Sequence, residues 1–279
     1  MTSKTTATAL PTRDLTERIG TEVRADKDAL LSGVHAGAIR ELLEQRGVLV
    51  FPKIGLTDAE QVAFTETLGA VAPERDGEAV YDVTLDTTVN KQADYLKGSF
   101  YWHLDGTMNE VPILASLLSS KVLPAGGGGD TEFCNTYAAY DDLSDDDKDQ
   151  LASLRAMHSA WNSLLYYDPE PEFATLRQMM AIGECELPVV WTHRSGRRSL
   201  ILGCTASHIV GMDHRDSAAT LVRLRDWATR PQFVYRHQWS VGDLVMWDNT
   251  GTMHRALPYD PDSGRMLRRT KLAGEEPFA

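Results

Sequence analysis

A chain of 279 residues, 42% hydrophobic and 24% charged, is long enough to bury a substantial core as one domain, and its composition is that of a globular protein. A formal net charge of −12 and a pI near 5.1 argue against nucleic acid or an anionic membrane as the main partner. No apolar run approaches membrane-spanning length, and the opening residues lack the apolar core of a signal peptide. Cys134, Cys185 and Cys204 are odd in number with no Cys-x-x-Cys spacing, so the expectation is a cytoplasmic protein with reduced thiols.

Residues 1–14 read as a loose polar segment ahead of a single domain, 15–279. Leu31, Val34, Ala38 and Leu42 at helical spacing predict a helix over 29–45, stopped by Gly47, with a short buried strand at 48–51. Thr57 followed three residues later by Glu60 is a capping-box pattern, opening a second helix that reaches Leu68. A strand is expected at 81–85. The polar stretch 86–98 that follows it is a candidate lid.

Another strand is expected at 115–123, then four glycines, Gly126 to Gly129. They let the backbone turn sharply or approach a ligand closely, a plain flexible loop being the alternative. Helices are predicted over 135–143 and 144–158, and loop or short helix over 161–184. Short strands then follow at 187–192, 198–202, 233–238, 244–247, 252–256 and 266–271, interrupted by one helix at 213–229. Many short strands with inserted helices predict a mainly β fold with flanking helices, a double-stranded β-helix (jelly-roll, cupin-like) core around a central cavity.

The aromatic run 100–108 carries the chemistry. It places His103 and Asp105 two residues apart, so on a strand the imidazole and the carboxylate project from one face. His254 is the candidate third ligand. Two histidines and one carboxylate form the facial arrangement of non-haem Fe(II) oxygenases. Alternatively, His103 is a hydrogen-bonded core residue and Asp105 a turn cap before Gly106. Arg265 and Arg269, four apart on a probable strand, share a face, whereas Arg268 is the natural solvated member. Two inward guanidinium groups each call for a buried anion, since burying one without a partner is costly.

The motifs Trp102-His-Leu-Asp105, Gly128-Gly-Asp-Thr131 and Trp247-Asp-Asn249, with His254 and the arginines after it, are specific. From Arg46 to the C-terminus the chain resembles the taurine dioxygenase and 2,4-dichlorophenoxyacetate dioxygenase (TauD/TfdA) family of Fe(II)- and 2-oxoglutarate-dependent oxygenases. The resemblance implies that His103, Asp105 and His254 bind iron and that Thr131 and Arg265 hold the distal carboxylate of 2-oxoglutarate. It also implies that Arg269 faces the substrate's anionic group. Residues 74–98 match neither namesake enzyme closely. They contribute Tyr95 and Lys97 as further candidate substrate contacts.

The implied reaction consumes O2 and oxidises, by hydroxylation, a small carboxylate, sulfonate or sulfate ester, releasing succinate and CO2. The same cofactors also serve desaturation, or the oxidative decarboxylation of an amino acid derivative in isonitrile formation. A non-enzymatic cupin-like binder of a metal or small molecule is the rival outside enzymes. Asp105 argues against halogenating relatives, which replace this carboxylate with a small residue. The expected partner is a small molecule in a homo-oligomeric enzyme, with no nucleic acid and no membrane.

Overall fold

The computed structural model describes residues 10–74 and 77–278. The chain begins with β1 (Thr12–Asp14), β2 (Thr21–Val23), α1 (Lys27–Leu31), α2 (Ala36–Arg46), β3 (Val48–Phe51), α3 (Asp58–Leu68) and β4 (Tyr81–Val83). A 3-10 helix (Tyr95–Phe100), β5 (Ala115–Val122), β6 (Thr131–Asn135), α4 (Thr136–Asp141), α5 (Asp145–Leu151) and β7 (Arg155–Ser159) follow. Next come α6 (Ala160–Tyr167), α7 (Phe173–Met180), β8 (Glu184–Pro188), β9 (Val190–Thr192), β10 (Arg198–Leu200) and β11 (Ala206–Ile209). The last elements are α8 (His214–Ala228), β12 (Val234–His237), β13 (Leu244–Asp248), β14 (Thr252–Ala256) and β15 (Met266–Leu272).

Seven strands form the larger sheet in the order β1-β2-β3-β13-β5-β15-β4, antiparallel except where β2 runs parallel to β3. Facing it is the three-stranded sheet β12-β6-β14, with β11-β7-β8 and β10-β9 as smaller sheets. This is a mainly β, cupin-like double sheet with helices packed outside. Period-two alternation distributes its side chains. Leu49 and Phe51 of β3 and Leu244 and Met246 of β13 face outward onto Ile39, Leu43, Phe64 and Leu68 of α2 and α3. Val48, Val50, Val245, Trp247, Leu118 and Leu267 face inward against Phe133 of β6. Because both faces of β3 and β13 are covered, these strands read as continuous apolar runs.

The capping box at α3 is realised: Glu60 N–H donates to Thr57 Oγ1 (3.2 Å) and Thr57 N–H to Glu60 Oε2 (2.7 Å). Elsewhere long-range pairing overrides local pattern. The helix expected over 29–45 is two helices, broken at 32–35, where Gly33 adopts φ 71°. The helix expected over 144–158 ends at Leu151, because Arg155–Ser159 is claimed as a central strand by β8 and β11. β6 and β11 were not among the expected strands. Thr12–Asp14, expected within the loose N-terminal segment, pairs with Thr21–Val23, and residues 1–9 of that segment lie outside the described residues. Among the described residues no helix is long and apolar enough to cross a membrane.

Candidate metal centre and its two cavities

The run 100–108 is not a strand. After the 3-10 helix it forms turns around one isolated bridge, His103 to His254, in which each histidine's N–H donates to the other's carbonyl (3.1 and 2.9 Å). Two residues more than half the chain apart are thus tied backbone to backbone. Gly203 fixes this approach from outside: at φ 115°, an added Cβ there would lie 2.8 Å from Trp102 O and 2.9 Å from His103 Cα. Cys204 N–H donates to Trp102 O (2.8 Å), holding the segment from the same side.

The potential ligand atoms of His103, Asp105 and His254 lie within 4.8 Å of one another, the one such cluster of three among the described residues. Each histidine Nε2 stands 3.8 Å from an Asp105 oxygen, the two histidines addressing different oxygens. His103 Nδ1 is 2.8 Å from Tyr101 O, an acceptor that requires Nδ1–H and leaves Nε2 as the lone-pair donor for a metal. The His254 ring packs on Trp247 and Phe133, with centroids at 4.7 and 6.1 Å. Burial, with His103 and Arg269 beside it, lowers its pKa to about 3, so it is a neutral ligand. Burial of Asp105 would raise its carboxyl, but His254, Arg269, His103 and the Ser116 hydroxyl more than offset this and hold it well below the usual carboxylate range.

The Trp-Asp-Asn motif acts from one shell further out. Trp247 Nε1 donates to Asn249 Oδ1 (2.8 Å), Asn249 Nδ2 to Ser116 Oγ (2.9 Å), and Ser116 Oγ to Asp105 Oδ2 (3.0 Å). The relay fixes the carboxylate's orientation. Asp248 takes no part: it accepts from Thr250 N–H and Oγ1, and burial raises its carboxyl to about 6.

On one side of the ligands a cavity of about 70 Å³ is lined by Thr131, Arg265, Leu118, Trp247 and Leu267 among others. Arg265 is 3% exposed, donates from one terminal nitrogen to Gly129 O (2.9 Å), and stacks 4.5 Å from the Tyr259 ring. Its Nε has no hydrogen-bond partner among the described residues, and Asp130, which acts on it electrostatically, is itself paired with Arg236 at 2.8 Å. A buried guanidinium left this way fits an anionic ligand of carboxylate shape. The glycine run serves that fit: a Cβ on Gly129 would come within 2.6 Å of Arg265 Nε. Thr131 Oγ1 accepts from Trp239 Nε1 (3.1 Å), which leaves its own proton to donate.

On the other side a cavity of about 390 Å³ is lined by His103, Asp105, Tyr95, Tyr81, Arg269 and Lys271 among others. Arg269 lines both cavities. The buried anion that an inward Arg269 calls for is found within the chain: Glu74, 195 residues away in sequence, takes its Nε and a terminal nitrogen at 3.3 and 3.1 Å. Tyr95 lines the larger cavity, but Lys97 lines neither; it pairs at 2.7 Å with Asp94 on the exposed side of the 3-10 helix. Arg268 points to the opposite face and pairs with Asp82 and Asp58. A groove of about 550 Å³ beside Trp102 and Arg255 is not lined by any of the three metal-ligand candidates.

Ser116, Glu74 and Lys271 escaped the sequence reading. Period two from Arg265 and Arg269 reaches Lys271 directly, whereas nothing local marks Ser116 or Glu74. The sequence profile described as "Taurine catabolism dioxygenase TauD, TfdA family" matches residues 11–271. The chain is 36% identical to an alpha-ketoglutarate-dependent 2,4-dichlorophenoxyacetate dioxygenase of Burkholderia sp. (strain RASC), over 90% of this chain and 91% of the relative. It is 33% identical to an alpha-ketoglutarate-dependent sulfate ester dioxygenase of Pseudomonas putida, over 93% and 88%. The crystal structure of AAD-2 in complex with Mn(II) and N-oxalylglycine superposes with TM-score 0.83 at 32% identity, covering 98% of this chain and 100% of that one. The chain therefore belongs to the TauD/TfdA family and is a 2-oxoglutarate-dependent dioxygenase, an oxidoreductase that uses Fe(II), 2-oxoglutarate and O2.

Proposed function

We propose that this dioxygenase hydroxylates a small anionic organic compound in the larger cavity, with Fe(II) on His103, Asp105 and His254 and 2-oxoglutarate in the smaller one. The observation that carries the reading is the buried Arg265, whose Nε lacks a partner in a cavity that the three candidate ligands share. Bound there, iron supplies the chemistry that couples decarboxylation of 2-oxoglutarate to oxidation of a substrate C–H by O2, with succinate and CO2 as co-products.

The protein's own part is placement. Arg265 and the Thr131 hydroxyl take the distal carboxylate of 2-oxoglutarate, which points its keto-acid end at the ligands. His103 and His254 present their Nε2 atoms, and the Ser116 relay turns Asp105 toward both. Phe100, Leu118, Trp247 and Leu267 line the smaller cavity and keep water from it. Substrate enters from the Arg269 side, near Tyr81 and Tyr95. An acid group on the substrate accords with relatives that act on 2,4-dichlorophenoxyacetate and on sulfate esters. We further place the described chain, β1 included, in one domain and the enzyme in the cytoplasm, in keeping with three free cysteines.

The test is succinate release. Protein loaded with Fe(II) and 2-oxoglutarate, then exposed to O2, is screened against carboxylates, sulfonates, sulfate esters and zwitterionic amino acid derivatives. Stimulation by an acid, and not by its neutral ester, is expected; stimulation by neutral or zwitterionic compounds alone would refute the anionic-substrate reading.

A further inference from the structure

We infer that Lys271 joins Arg269 as a second cation in the seat for the substrate's acid group, and that Glu74 is an internal counter-ion offsetting one of their two charges. The inference rests on the anionic-substrate reading above and assigns it residues. Arg269 and Lys271 are alternate residues of β15, so their side chains leave the same face of the sheet. Across the ladder, Lys271 pairs with Ser116, whose hydroxyl holds Asp105, and Arg269 pairs with Leu118, which lines the smaller cavity. Lys271 therefore emerges on the side of the metal ligands, about 7 Å further along the strand than Arg269. It lines the larger cavity only.

Formal charge decides what that end of the site lacks. Glu74 is 8% exposed and accepts at Oε2 from both Lys271 Nζ (2.9 Å) and a terminal nitrogen of Arg269 (3.1 Å), while its Oε1 faces Arg269 Nε (3.3 Å). Among the described residues, one carboxylate thus serves two cations whose side chains are only 21% and 11% exposed, and one positive charge is left over. The rest of the loaded site is balanced, with Fe(II) and Arg265 against Asp105 and a 2-oxoglutarate dianion. A monoanionic substrate completes the balance, and a neutral or cationic one leaves the surplus buried. Glu74's single negative charge is already shared between two cations, which makes it a poor receptor for an amine. Tyr81 of β4, whose ring lies 5.0 Å from the Arg269 guanidinium, and Asn90 of the following loop, which bonds the Tyr81 hydroxyl, brace the seat.

The experiment measures binding, so that turnover is not required. Wild type, Lys271→Gln, Lys271→Met, Lys271→Arg and Glu74→Gln are loaded anaerobically with Mn(II) and 2-oxoglutarate. They are then titrated by calorimetry with 2,4-dichlorophenoxyacetate, its methyl ester and a short n-alkyl sulfate. Lys271→Gln and Lys271→Met are expected to weaken the acids at least tenfold and leave both the ester and 2-oxoglutarate unchanged. Lys271→Arg should restore the acids to within about threefold, and Glu74→Gln should tighten them several-fold by removing a competing anion. Acids bound by wild type but indifferent to loss of the Lys271 charge would overturn this inference alone, as would equal weakening of acid and ester. Weaker acid binding by Glu74→Gln would overturn the counter-ion role. Wild type that binds the ester as well as the acids, or binds no acid, would instead overturn the anionic-substrate reading itself.

Discussion

The two cavities that meet at His103, Asp105 and His254 treat positive charge in opposite ways. In the smaller one Arg265 is buried, and among the described residues its Nε is unsatisfied and no carboxylate is paired to it. In the larger one Arg269 and Lys271 are already bridged by Glu74. A side chain left wanting suits a ligand that is the same in every turnover, since the ligand itself completes the structure. A side chain held by an internal partner suits a ligand that comes and goes, because the site remains defined when it is vacant. The contrast also marks where spacing stops being informative: it turned Arg269 inward, but no local pattern reveals that Glu74 waits for it.

The comparison breaks most completely at the shared wall. His103→Ala combined with Asp105→Ala is expected to abolish both turnover and the weak visible charge-transfer absorption formed anaerobically by Fe(II) and 2-oxoglutarate. Survival of that absorption would remove these residues from the metal site. Arg265→Leu should affect the smaller cavity alone. A charge-assisted hydrogen bond is worth about 1.5–3 kcal/mol, so half-saturation by 2-oxoglutarate should rise roughly 10- to 100-fold, with acid binding in the larger cavity nearly unchanged. An unaltered 2-oxoglutarate requirement would separate Arg265 from the cosubstrate.

Ser116→Ala cuts the relay behind Asp105 and should lower metal affinity by about 10- to 100-fold, measured by Mn(II) titration; metal affinity equal to wild type would show that the relay is dispensable. The smallest effect concerns acid stability on the substrate side. Burial lowers the His158 pKa to about 4, and its Nδ1 bonds Thr205, which lines the larger cavity. The unfolded chain, with an ordinary histidine near pH 6.5, binds the proton more readily, so stability is retained above about 6.5 and lost as pH falls toward 4. Asp248, raised to about 6, works in the opposite direction over part of that range. The difference between wild type and His158→Gln isolates the histidine: the melting temperature of the variant should fall less between pH 6.5 and 4.

Most of the candidate metal site was legible because its motifs are dense: His103 and Asp105 sit two apart, and Trp247, Asn249 and His254 lie within one turn and two strands. Their local structure was not, since a period-two aromatic run looks like a strand whether or not a neighbour pairs with it. Residues 101–109 find one bridge partner and otherwise turn. The converse holds at Arg155–Ser159, where two waiting edges make a strand from a segment with helical composition. Strands covered on both faces, such as Leu244–Asp248, were easily read because burial leaves them no polar alternation.

The reciprocal backbone bridge between His103 and His254 has a kinetic consequence. It closes a loop of more than half the chain, and closing so long a loop is among the most entropically expensive contacts a folding chain makes. The candidate ligands can converge only once β14 is in register on β6, so the candidate metal centre is expected to form late. A metal held by these residues would then meet a finished socket, and the rate at which a refolding sample regains metal binding would be a clock for completion of the entire double sheet.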